Sequence, residues 1–287
     1  MKYVLTMLLM AGIFTSRAQD FAAYKIFNSK GKEVKFEEMI KDLGKADVVL
    51  FGELHNISLA HWFELQVTKE LFKLDSNLVL GAEMFEADNQ VILDEYFHGF
   101  IKESHMEKEA KMWDNYSTDY KPLMTFAKEH HLRMVATNIP RRYANLVYRR
   151  GLQALDSLSD EAKKWIAPLP ITVDLELSGY QNMMKMMGGH GTKESAENLA
   201  KSQASKDATM AHFILKNRDG KRFIHYNGSY HSNDYQGIGW YLKEADKSLK
   251  IKTINTVEQE NIHTLDEKNQ NTANYIIIIP KDMTKTY

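Results

Sequence analysis

Apolar and polar positions follow two rhythms along this chain. Short, nearly continuous apolar runs rich in β-branched residues fall at 47–52 (DVVLFG), 78–82, 132–137, 222–227 and 250–254. Runs of that length without alternation are the pattern of strands covered on both faces. Between them, Leu59, Phe63, Val67, Leu71 and Leu74 recur at helical spacing. Ile92, Leu93, Tyr96 and Phe97 form a second stripe that Gly99 ends, and 119–130 and 194–217 also fit helices. The alternation predicts an α/β fold, a mostly parallel sheet with helices on both faces. Residues 141–192 contain no convincing strand and predict a helical insertion lying over the sheet. Its last part carries Met183, Met184, Met186 and Met187 beside Tyr180 and His190, between Gly179 and the Gly188–Gly189 pair. That composition predicts a mobile apolar lid, although methionines so spaced more often pack a core or an interface than hold a ligand.

The first residues change the picture of where the protein works. Lys2, an apolar run from Val4 to Phe14, and Ser16 and Ala18 before Gln19 have the form of a secretory signal, residues 1–18. The run is well short of the roughly 20 residues a membrane-spanning helix needs. The apolar segment at 275–279 (YIIII) has only strand length. Residues 19–287 are then expected to form one α/β domain, since no repeat and no Gly/Ser- or Pro-rich linker divides them. Lys plus Arg (37) balance Asp plus Glu (38), so bulk charge gives no reason to expect nucleic acid as a partner. There is no cysteine, which excludes disulfides, thiolate metal sites and acylation at a lipobox cysteine. The expected location is periplasmic or at the cell surface.

Chemistry is concentrated where predicted strands end. VVLF runs into Gly52-Glu53-Leu54-His55, VL into Gly81-Ala82-Glu83, MVAT into Asn138-Ile139-Pro140-Arg141, and FIHYN into Gly228-Ser229-Tyr230-His231. Ligands of open parallel sheets bind at the carboxyl ends of the strands, and extended residues two apart face the same way. Glu53, His55, Glu83 and His231 can therefore share a crevice. Two carboxylates and two imidazoles can hold a divalent metal, run acid–base chemistry or anchor a polar ligand. Any one of them alone is more simply a capped or solvated strand end. His61 falls off the apolar stripe, at the surface or at the rim of a site. Asp207, on a helix otherwise rich in small and apolar residues, is more simply a structural hydrogen-bonding group than a catalytic one. Arg142 and Arg149 share a helical face by spacing. No G-x-S-x-G, HExxH or Walker motif is present.

At these residues the chain resembles the ChaN-like haem-binding uptake proteins, within the superfamily of the Tiki proteases and erythromycin esterases. The resemblance is carried by GELH at 52–55 with Gln66, and by GAEMF at 81–85 with Gln90, Leu93 and Asp94. It continues through Trp113, Tyr120, Pro122, the 138–141 segment, Gln203, 207–211, Gly228, His231 and 237–239. It implies an α/β fold with a helical excursion, and haem ligated through tyrosine in a pocket formed where two subunits meet. It also implies a role in iron uptake, with a homodimer and an outer-membrane haem receptor or other surface partner as the expected company. In hydrolytic relatives the positions matching Glu53, His55, Glu83 and His231 are metal-binding or acid–base residues, so a metal-assisted or acid–base hydrolase is the alternative. The family's surface lipoproteins are acylated, whereas this chain has no cysteine to acylate. Haem needs an apolar slot, an axial ligand and cations for its propionates. On that basis Tyr180 and His190 are candidate axial ligands, Met183 and Met187 a deformable wall, and Arg141 and Arg142 the cations.

Overall fold

The structure, a computed structural model, describes residues 22–187 and 192–287. The expected signal at 1–18, and His190 with its flanking glycines, lie outside the described residues. In chain order the main elements are β1 (Lys25–Asn28), α1 (Phe36–Leu43), β2 (Val48–Glu53), α2 (Ser58–Leu74), β3 (Leu78–Glu86), α3 (Gln90–Phe97) and α4 (Glu103–Glu109). There follow α5 (Lys121–Glu129), β4 (Arg133–Asn138), α6 (Arg141–Arg150), α7 (Asp160–Lys163), α8 (Ser178–Met187) and α9 (Lys193–Arg218). β5 (Arg222–Gly228), α10 (Ile238–Ala245), β6 (Ile251–Gln259) and β7 (Tyr275–Pro280) complete the chain.

The strands form one seven-stranded sheet in the order β1-β7-β6-β2-β5-β3-β4. All pairings are parallel except that of the four-residue edge strand β1 with β7. The apolar runs have no alternation because both faces are covered. Val49 and Phe51 of β2 pack under α1, α2, α3 and α5 with Phe63, Val67, Leu71, Leu93 and Met124. Val48 and Leu50 pack on the opposite face against Met210, Ile214, Ile238 and Leu242 of α9 and α10. Burying a side chain such as Phe63 or Leu71 contributes about 1.5–3 kcal/mol, so α2 is held chiefly by this face. Its inward side is turned slightly from the expected stripe: Ala60, Phe63, Glu64, Val67, Thr68 and Leu71 are buried, while Leu74 is exposed.

The segment 141–187 is helical throughout its regular parts, with α6, a 3-10 turn, α7 and α8 and no strand. Its first part builds a small core of its own around Ile139, Val147, Leu155 and Ile166. Its last part packs Tyr180 on Ala200 and Ala204 of α9. The described methionine side chains of α8 do not act together. Met184 packs beside Tyr180, Met183 turns toward the end of the sheet, and Met186 is exposed. No helix among the described residues is long and apolar enough to cross a membrane.

Candidate functional site

β2 and β5 lie side by side at the centre of the sheet, with Glu53 paired in register to Gly228. The connection leaving β2 crosses toward β3 and that leaving β5 turns toward β6, so a crevice opens between them. β3 breaks register with β4 between Ala82 and Glu86. That irregularity brings Glu83 to the same edge, where Asn138 Nδ2 donates to the Glu83 carbonyl at 3.0 Å. The result is a cleft of about 1090 Å³ at the carboxyl ends of the strands. Its lining includes Glu53, His55, Glu83 and His231, and also Met84, Met112, Trp113, Met183, Arg141, Arg142, Lys206 and Tyr230.

The four residues named from the sequence come together as two pairs. On the α2 side, Glu53 Oε1 lies 2.6 Å from His55 Nδ1 and accepts from the Tyr120 hydroxyl at 2.7 Å. Burial, and then the neighbouring Glu64 carboxyl, push Glu53 up to about 8. His55 is also raised: burial disfavours its charge, but the Glu53 hydrogen bond and charge prevail. Burial is what favours the protonated Glu53 carboxyl, and the His55 hydrogen bond works against it. With Nδ1 engaged by Glu53, the half-exposed His55 leaves Nε2 as its free edge. The imidazole lies directly over Gly228, where a Cβ would stand 2.7 Å from Nε2. Glycine is required there by close approach.

On the α9 side, His231 is clamped between two carboxylates. Its Nδ1 is 2.6 Å from Asp207 Oδ1 and its Nε2 is 3.2 Å from Glu83 Oε1. Burial alone would deprotonate His231, yet the Glu83 and Asp207 charges outweigh it and carry the imidazole up to about 10. Burial likewise opposes the Glu83 charge, but His231⁺ and Lys206 hold that carboxyl well below its ordinary range. The Gly228 N–H donates to its other oxygen at 2.8 Å. Asp207 stays above its ordinary value because burial exceeds the help it receives from His231 and the Tyr180 hydroxyl. Gly237, at φ +53°, lets the chain pass His231: a Cβ there would stand 2.3 Å from the His231 carbonyl oxygen.

The haem-directed residues divide. Met183, Arg141 and Arg142 line the cleft. Arg142 is already bound to Asp88 at 2.6 Å and lies over Tyr143 and Trp165, whereas Arg141 makes no ion pair among the described residues. Tyr180 is buried beneath the cleft, its hydroxyl donating to Asp207 Oδ2 at 2.7 Å. Burial and the Asp207 charge hold its phenol strongly in the protonated form. Met187 closes α8, and its side chain lies outside the described residues, as does His190.

Sequence reasoning missed Glu64 and Asp119, named Tyr120 only as part of the family resemblance, and left His61 at the surface or rim. All four are buried around Glu53. The signal for His61 and Glu64 was a His–Glu pair three apart on a helix, with Glu64 one turn before Val67 and Thr68 on the inward side. Asp207, read as structural, does make structural hydrogen bonds, but to a residue of the cleft itself.

Residues 39–242 match the family described as haem-binding uptake, Tiki superfamily, ChaN. The chain belongs to that family. Among solved structures it is similar to ChaN of Campylobacter jejuni, reported for cofacial haem binding, with a TM-score of 0.67 and 20% identity over 89% of this chain and 96% of that one. A protein from Bacillus cereus superposes with a TM-score of 0.52 at 11% identity, covering 90% of this chain and 95% of that one. A succinoglycan biosynthesis protein gives 0.53 at 10% identity, covering 85% and 90%. These likenesses support the fold. No curated protein matches the sequence significantly.

Proposed function

We propose that this member of the haem-binding uptake family binds haem in the cleft at the end of β2, β3 and β5, and serves haem or iron acquisition outside the cytoplasm. The observation that carries the reading is the cleft's composition. An opening of about 1090 Å³ joins apolar and aromatic walls (Met84, Met112, Trp113, Met183) to cations at its margin (Arg141, Arg142, Lys206). A porphyrin asks for that combination: apolar faces for the ring and positive groups for two propionates. Bound haem supplies the iron to be carried; the side chains hold and orient it.

For the axial ligand, His55 is the best-placed group on the cleft. Its Nδ1 is fixed by Glu53, which sets the tautomer, orients the ring and raises the basicity of Nε2, as partners of metal-ligating histidines do. Tyr230, half exposed on the same cleft with its ring against His231, donates to the Gly179 carbonyl; burial lifts its phenol to about 12. Tyr180 would first have to leave Asp207. A second copy of the chain closing over the cleft, and a surface haem receptor receiving the cargo, complete the proposal, with residues 1–18 directing export. Titration of the purified chain with haemin tests it: a saturable Soret band is expected, and its absence sinks the reading.

A second reading has its own support in the His55–Glu53 pair. An imidazole with one nitrogen on a buried carboxyl and the other edge open to a cleft is equipped for proton transfer to a bound ester or amide. An acid–base hydrolase would lose turnover on His55→Ala or Glu53→Gln while still binding its substrate. Ester and peptide panels showing no turnover by the wild type remove this alternative.

A further inference from the structure

Behind the cleft, on the α2 face of the sheet, three side chains turn lone pairs toward one point. His61 Nε2 lies 3.1 Å from the His55 carbonyl oxygen, which can only accept, so Nε2 carries a proton. In the neutral ring Nδ1 is then a lone pair, and it faces Glu64 Oε2 at 3.1 Å and Glu53 Oε2 at 3.6 Å. One ligand atom from each of Glu53, His61 and Glu64 lies within 4.8 Å of the other two. All three residues are buried, at 1%, 3% and 0% exposure. Glu53 Oε2 and Glu64 Oε1 have no hydrogen-bond partner.

Buried acceptors crowded together are costly unless a proton or a metal cation sits among them. The surroundings are arranged for a metal ion. The His61 Nε2–H is held by a backbone carbonyl that Asn115 Nδ2 also binds at 2.8 Å. Glu53 is held by its Oε1 alone, through Tyr120 and His55, which leaves Oε2 for another partner. Such support, donated to the far nitrogen of the imidazole and to one oxygen of the carboxylate, is what metal ligands receive. We propose that Glu53, His61 and Glu64 form a buried site for a divalent first-row cation of the Zn²⁺ or Mn²⁺ type, one layer beneath the cleft. One nitrogen and two carboxylates suit such ions better than Ca²⁺, which takes six to eight oxygens. Glu53 is the shared residue. Through it the ion fixes His55 at the cleft floor, whether the cleft holds haem or another ligand.

The proposed site shares only Glu53 with the strand-end four. Glu83 and His231 are committed to Asp207 and Gly228 on the other face of the sheet, and within the four only Glu53 faces the buried site.

The test uses the full mature chain, stripped with chelator and then dialysed against Zn²⁺ or Mn²⁺, with bound metal counted by mass spectrometry. One ion per chain is expected in the wild type. Glu64→Gln and His61→Gln should each weaken uptake at least tenfold, while His231→Gln retains it. The wild type should also gain melting temperature with metal, and Glu64→Gln should not. Nitrogen-15 imidazole spectra of the Zn²⁺-loaded wild type need no variant to fold: a single histidine ligated through Nδ1 is expected. No stoichiometric ion, meaning the three groups hold only protons, overturns the proposal. So does ligation through Nε2, or uptake lost in His231→Gln but intact in Glu64→Gln. Haemin binding is read separately by its Soret band, so either reading can fail alone.

Discussion

Asp207 Oδ1 stands 2.6 Å from His231 Nδ1, from a helix on the α9 face of the sheet to a turn that follows β5. Together with the Glu83 charge, the contact favours the protonated His231, and it ties the long helix of the second layer to the floor of the cleft. Because the folded-state value of His231, about 10, lies above its ordinary 6.5, its stabilising contribution is fully present below pH 6.5 and is lost as pH rises through about 10. Glu83 has the opposite sign: held below its ordinary 4.5, it contributes above that value and loses its contribution as pH falls. Urea unfolding of the wild type from pH 6 to 10 should therefore show a progressive loss of stability. Asp207→Asn should be less stable at pH 7 by about 3–5 kcal/mol, the usual cost of breaking a buried ion pair. Its alkaline loss should begin at lower pH. An unchanged alkaline profile would remove Asp207 from the account.

Gly228 is expected to be intolerant of even a methyl group. A Cβ would stand 2.7 Å from His55 Nε2 and 2.8 Å from Cε1, so the imidazole must move off the strand end. Gly228→Ala should cost about 1–3 kcal/mol, as small overpacking does, and should weaken haemin binding through the displaced His55. Gly239→Ala is the control, because its Cβ would meet only Leu50 at 3.8 Å. Equal behaviour of the two variants in denaturation and haemin titration would count against the close contact.

The strand ends were legible in the sequence because a buried parallel strand is a nearly pure apolar run, and a Gly followed by Glu or His ends it abruptly. Glu53 and His231 stand where that punctuation put them, whereas β3 runs on past Glu83 to Glu86. The residues that complete the site come from helices, where burial depends on how the helix is rotated against the sheet. Glu64 falls between the leucines and phenylalanine of the expected α2 stripe, and only the packed helix shows that side turned inward with Thr68 and Leu71. Asp207 was visible as a charge in an apolar helix, but its partner lies 24 residues further along the chain, in the turn after β5. Tyr120 ends a π-helical turn that the periodicity does not encode. β1 was missed because four residues at a sheet edge carry no pattern of their own.

The two arginines at the cleft should not contribute equally. Arg142 is drawn to Asp88 at 2.6 Å and lies over two aromatic rings, while Arg141 is exposed with no ion pair among the described residues. A propionate would have to compete with Asp88 for Arg142 but not for Arg141. Arg141→Ala should weaken haemin binding about three- to tenfold, within the roughly 0.5–1.5 kcal/mol of a hydrogen bond exchanged with water. Arg142→Ala should weaken it less and should lower stability slightly through lost packing. Haemin titrations of both variants at matched ionic strength decide the order.

Tyr180 and His55 make opposite predictions about the iron ligand. Tyr180 lies 3% exposed with its hydroxyl on Asp207, while His55 is half exposed and lines the cleft, its Nε2 over Gly228. Tyr180→Phe should leave the Soret maximum of the haemin complex in place. It should cost about 1–3 kcal/mol in stability, the penalty for leaving a buried acceptor short of a donor. His55→Ala should instead move the Soret maximum and weaken binding, with little loss of stability because the imidazole is half exposed. Should Tyr180→Phe shift the band and His55→Ala leave it untouched, the tyrosine would have to swing up from Asp207 on binding. His231 would then lose part of its clamp in the haem complex, and its alkaline stability limit would move with haem occupancy.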